Sequence, residues 1–91
     1  MSLKEKKSPV VAIDEKESEI KTLILFNDEI NTFDFVIESL IAVCDHDHLQ
    51  AENCAWVAHY RGKCGVKKGP LEDIKPRYEE MTRRKLTVEI R

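Results

Sequence analysis

The rhythm of apolar and polar positions changes several times along the chain, and each change marks the border of an element. From about Ile20 the segment Thr22-Leu23-Ile24-Leu25-Phe26 is apolar at successive positions, the pattern of a strand covered on both faces. Asn27-Asp28-Glu29 ends it, because Asn and Asp bond to their own backbone and favour turns. The period then lengthens. Phe33, Val36, Ile37, Leu40, Ile41 and Cys44 recur at helical spacing, with Asn31 as the expected N-cap and Asp34 placed to return a bond to it. A second helix follows, with Asp47 as N-cap, Ala51, Cys54, Ala55 and Ala58 on one face, and Gly62 as the left-handed residue that stops it.

Beyond Gly62 the stretch 63–67 reads as a short strand, and Gly69-Pro70 opens a third helical segment whose apolar stripe is Leu71, Ile74, Tyr78 and Met81. Pro76 lacks a backbone donor and disfavours a helical Lys75, which predicts a turn over 70–74 and a regular helix over 76–84. Strict alternation from Leu86 to Ile90 predicts a closing strand with Leu86, Val88 and Ile90 inward. The order β-α-α-β-α-β describes one small α+β domain over 20–91, a three-stranded antiparallel sheet packed against helices. Residues 1–19 carry mixed charge and no periodic apolar face, and read as a flexible N-terminal tail.

Composition narrows the range of functions. The 91 residues suffice for one core, and 15 basic against 17 acidic residues argue against nucleic-acid binding through bulk charge. The N-terminus is charged rather than signal-like and no apolar run approaches membrane-spanning length, so the chain is read as cytoplasmic and without a membrane partner. Its three cysteines, at 44, 54 and 64, form no C-x-x-C pair and read as reduced thiols.

Three places carry candidate chemistry. The stretch Cys44-Asp45-His46-Asp47-His48 is dense in metal-ligand types, yet Cys44 belongs to a buried stripe and Asp47 to a cap. It reads as a solvated turn between helices with both imidazoles exposed, so no metal or other cofactor is expected. The Asn27-Asp28-Glu29 turn reads first as a strand end, but it also sets acceptors and negative charge beside the apolar Phe33. His59 reads first as a last-turn histidine opposed to the helix dipole, but it borders the small-residue face of Ala55 and Ala58. A Cys-His hydrolase would need an activated thiolate, whereas Cys44 and Cys54 fall on core faces; no catalytic residue is expected. Trp56, Tyr78 and Met81 read as packing residues, and Arg83-Arg84-Lys85 as a solvated helix end.

The segments "LFNDEINTFDFVIESL", "VAHYRGK" and "CGV" together resemble the ClpS family, the bacterial adaptors of Clp proteases in the N-end rule. The resemblance is firm over about residues 21–66, and the family fold has the same element order. It implies a non-enzymatic adaptor that binds proteins with a bulky hydrophobic first residue (Leu, Phe, Tyr or Trp) and delivers them to a ClpA- or ClpC-like AAA+ ATPase. Carried over, Asn27, Asp28, Glu29 and His59 would contact the substrate α-amino group. Asn31, Phe33, Val36, Ala55, Ala58 and Leu86 would line the side-chain pocket. Lys75 would lie in the ATPase-docking surface, and the tail would be what the ATPase engages. Glu29 stands where the family has Asp, Asn31-Thr32 where it has Thr-Pro, and Phe33 where it has a gating Met. The alternative reading is a module of the same shape that tethers a partner without binding N-degrons.

Overall fold

A computed structural model describes residues 19–91. The tail expected over 1–19 thus lies, but for Glu19, outside the described residues. The elements are β1 (Ile20–Phe26), α1 (Phe33–Cys44), α2 (His48–Arg61), β2 (Lys63–Pro70), α3 (Leu71–Arg83) and β3 (Val88–Ile90). The sheet order is β2-β1-β3 with both pairings antiparallel, so β1 is central.

Period-two alternation places Leu23 and Leu25 of β1 under the helices, where both are buried. The other face is more open than the sequence pattern predicts. Ile24 and Phe26 are half-buried, and Phe26 sits 5.5 Å beneath the Arg91 guanidinium. The core is completed by Ile37, Leu40, Val43 and Cys44 of α1, three alanines of α2, and Ile74 and Met81 of α3. Leu86 and Val88 close it from the last segment.

Several local expectations are revised by contacts distant in sequence. The α1 cap is Thr32, whose hydroxyl accepts from Phe35 N at 3.1 Å, rather than Asn31. The third helix runs unbroken through Pro76 from Leu71, because Ile74 and Met81 anchor both halves in the core and outweigh the missing donor. The second strand extends to Pro70, with Val66 as the extra residue of a bulge opposite Leu23 and Ile24. The last strand shortens to three residues, since Lys85 takes a left-handed conformation (φ 70°) and Leu86 enters the core ahead of the pairing.

The turn between α1 and α2 is not fully solvated either. His46 is 5% exposed, and its Nε2–H donates to the Val66 carbonyl at 2.6 Å. Asp47 caps α2 as expected, accepting from Gln50 N at 2.7 Å, and His48 is exposed. Arg84 is likewise no free surface charge. It bonds Glu80 and reaches the buried Ser39 hydroxyl of α1 at 3.3 Å, while Arg77 donates to Val43 O at 2.7 Å, so two guanidiniums fasten α3 to α1.

Candidate functional site

The end of β1, the start of α1 and the end of α2 meet at one corner of the domain. Asn27 N donates to Gly62 O at 3.0 Å, which fixes the strand end against the helix end. Gly62 itself has φ 94° and donates to Ala58 O, the left-handed cap anticipated at this position. His59, one turn before that cap, is therefore carried to the Asn27-Asp28 turn.

Between these elements opens a cavity of about 60 Å³. Asn27, Asp28, Asn31 and His59 supply its polar lining, and Leu25, Phe26, Phe33, Val36, Ala55 and Ala58 its apolar lining. Ala55 and Ala58 are both 3% exposed. They form a methyl-lined wall that no longer side chain fills.

The polar rim is tightly organised around Asp28. Its Oδ1 accepts from Ile30 N at 3.0 Å and Asn31 N at 2.9 Å, and its Oδ2 from Asn31 Nδ2 at 3.0 Å. Burial is the largest single effect on this carboxyl and raises its pKa, but the three donors together outweigh it and hold it below the usual 3.8. An ionised carboxylate has about four acceptor positions, so one remains for a further donor. Asn31, displaced from the cap position, bridges instead: its Nδ2 also donates to Lys85 O at 3.0 Å. The left-handed Lys85 turn thereby supports the rim from across the chain.

A file of rings runs outward from the cavity along α2. Phe33 and Trp56 lie 4.5 Å apart at 57°, Trp56 stacks on Tyr60 at 5.1 Å and 9°, and His59 meets Tyr60 edge-on at 5.0 Å. Trp56, read from the sequence as a packing residue, is 42% exposed and packs within this surface file.

Burial pushes the Cys44 thiol up to about 11, and burial followed by the neighbouring Cys64 pushes Cys54 up to about 12, so neither is an activated nucleophile. No group of three or more metal-ligating side chains occurs among the described residues. No helix among them is long and apolar enough to cross a membrane.

Of the residues singled out in the sequence, Asn27, Asp28, Asn31, Phe33, Val36, Ala55, Ala58 and His59 converge on this one cavity. Glu29 is exposed outside its lining, Leu86 lies in the core and does not line it, and Lys75 is exposed on α3. Leu25 and Phe26 were missed as lining residues, although alternation back from Asn27 would have turned Leu25 toward the helices. The ring contacts of Trp56 were also missed, and its spacing of three and four from His59 and Tyr60 was the available signal.

A family model described as ATP-dependent Clp protease adaptor protein ClpS matches residues 15–89. The chain belongs to the ClpS family. Among solved structures it is similar to Agrobacterium tumefaciens ClpS2 bound to L-phenylalaninamide, with a TM-score of 0.74 and 19% identity over 79% of this chain and 94% of that one. At that identity the likeness is one of fold. No curated protein matches the chain. ClpS proteins are adaptors rather than proteases, and they work with Clp proteases and with substrates recognised at the N-terminal residue.

Proposed function

We propose that this ClpS protein holds, in the cavity between β1, α1 and α2, the first residue of substrates that begin with Leu, Phe, Tyr or Trp. It passes them to a ClpA- or ClpC-like AAA+ ATPase in the bacterial cytoplasm and makes or breaks no bond itself. The observation that carries the reading is the meeting of Asn27, Asp28 and His59 with an alanine-walled apolar cavity. The Agrobacterium relative was solved with L-phenylalaninamide, a free α-amine joined to a benzyl side chain, which is the ligand chemistry this cavity suits.

A free α-ammonium is a compact cation with several donors. The unfilled acceptor position of Asp28, the Asn27 amide oxygen and a His59 ring nitrogen offer it acceptors and one full negative charge. Each charge-assisted bond contributes roughly 1.5–3 kcal/mol, and burial of one large side chain a further ~1.5–3 kcal/mol. After the cost of association this gives affinity in the micromolar range, suited to a partner that must be released. Glu29 contributes at longer range as a rim charge, Leu86 acts through the core rather than by touching the ligand, and Lys75 belongs to the surface that docks on the ATPase.

Fluorescence anisotropy with labelled peptides that differ only in their first residue tests this. Leu-, Phe-, Tyr- and Trp-initiated peptides bind, while Ile- and Val-initiated ones are rejected because their branching at Cβ crowds the entrance. Acetylation of the amine removes charge and donors together and abolishes binding. Asp28→Ala and His59→Ala each weaken binding about tenfold or more. An acetylated Leu-peptide that binds as tightly as the free one sinks the reading and leaves a ClpS-shaped tether without N-degron recognition.

A further inference from the structure

The unfilled acceptor position of Asp28 belongs to one particular oxygen. Each carboxylate oxygen has two acceptor positions. Oδ1 takes the backbone donors of Ile30 and Asn31 at 3.0 and 2.9 Å and is filled, whereas Oδ2 takes only Asn31 Nδ2 at 3.0 Å. A cation held by this carboxylate in the cavity therefore bonds to Oδ2. The oxygen that meets the ligand is the one that the Asn31 side chain holds.

That hold is anchored outside the site. The second hydrogen of Asn31 Nδ2 goes to Lys85 O at 3.0 Å, 54 residues along the chain. Lys85 presents this carbonyl from a left-handed backbone conformation (φ 70°), and its own N–H donates to Thr82 O at 2.9 Å, at the end of α3. It is exposed and lies outside the cavity lining. Replacing the Asn31 side chain leaves the backbone N–H of residue 31 in place, and with it both bonds to Oδ1, so the turn keeps its form and only Oδ2 is released. A residue that merely lines the side-chain pocket would act differently on different first residues. One that holds Oδ2 acts on the amine, which all of them share.

We propose that Asn31 is a positioning residue for the substrate α-amine, tying Asp28 Oδ2 to the α3–β3 turn through Lys85 O, so that the backbone at residue 85 governs affinity without touching the ligand. The inference rests on the N-terminal-residue reading above and adds the α3–β3 turn to the elements that serve the site.

Anisotropy on the full chain with Leu- and Phe-initiated peptides of otherwise identical sequence tests it. Asn31→Ala weakens both peptides about fivefold and by the same factor. Asn31→Leu, which keeps the volume but has no donor, behaves as Asn31→Ala and serves if the alanine variant fails to melt cooperatively. Lys85→Val, whose branched side chain opposes a left-handed backbone, weakens both peptides about threefold, whereas Lys85→Gly takes that conformation freely and retains the wild-type affinity. In the unliganded protein, the carbon NMR titration of the Asp28 carboxyl moves to higher pH in Asn31→Ala, because a donor to its charged form is gone. His59 in the same cavity, the adjoining Glu29 and the Lys85 side chain are common to both proteins, so the movement belongs to residue 31. Unchanged or tighter binding in the Asn31 variants overturns the proposal. So does a loss confined to one peptide, a Lys85→Val protein that binds like the wild type, or an Asp28 titration that stays in place. Wild-type protein that binds no free-amine peptide removes the N-terminal-residue reading, and this inference with it. Free-amine binding that ignores residues 31 and 85 removes the inference alone.

Discussion

At the scale of single residues, Asp28 does two jobs with one carboxylate. Three of its acceptor positions order the turn, and its charge remains for a ligand. A carboxyl held below 3.8 when folded stabilises the fold fully above that value, and the contribution disappears as pH falls through the lower folded pKa. Asp28→Asn is therefore expected to lower stability by about 1 kcal/mol near neutral pH. Urea unfolding of the two proteins should converge once the solution is acid enough to protonate the folded carboxyl. Gly62 gives a second test at this scale. A Cβ there would meet no atom within 4 Å, so only its φ of 94° opposes a side chain. Gly62→Ala is expected to destabilise by about 1–2 kcal/mol through backbone strain alone, and thermal melts should register it. Glycine and asparagine are the residues that take this conformation readily, and Gly62→Asn should lose less.

At the scale of elements, the sequence specified what periodicity can specify and no more. The three helices and three strands follow from the spacing of apolar positions, and Asp47 and Gly62 were legible because caps act within four residues. Asn31 was not. Asn and Thr are both good caps, and the choice of Thr32 frees Asn31 for Asp28 and Lys85 O, a partner 54 residues away that no local rule can see. Pro76 misled for a related reason, since its local penalty is outweighed by two core anchors on the same helix. His46 illustrates the same limit on the turn between α1 and α2. Its polarity suggested solvent, whereas the bulge in β2 delivers the Val66 carbonyl to it. Replacing it leaves that carbonyl unpaired beside a void, and His46→Ala is expected to lose about 2–3 kcal/mol. A fall in melting temperature of about 10 °C or more should follow in a domain of this size. A loss below half a kcal/mol would show that water replaces the imidazole without penalty.

At the scale of the whole molecule, the candidate site is a junction and no single element contains it. Asn27 and Asp28 end the central strand, Phe33 and Val36 begin one helix, and Ala55, Ala58 and His59 finish another. Their convergence was legible because each lies at an element end whose partner is dictated by the short connections. The contact of the Phe33 and Trp56 rings was not, because it forms between two helices. The bond from Asn31 Nδ2 to Lys85 O extends this junction to the α3–β3 turn, where Lys85 N donates to Thr82 O and Leu86 N to Met81 O. A peptide bound at Asp28 steadies the Asp28 turn and, through Asn31, the α3–β3 turn that it does not touch. Amide hydrogen exchange should record this at a distance: a saturating Leu-peptide is expected to slow exchange at Lys85 and Leu86 along with the rim, and Asn31→Ala to confine the slowing to the rim.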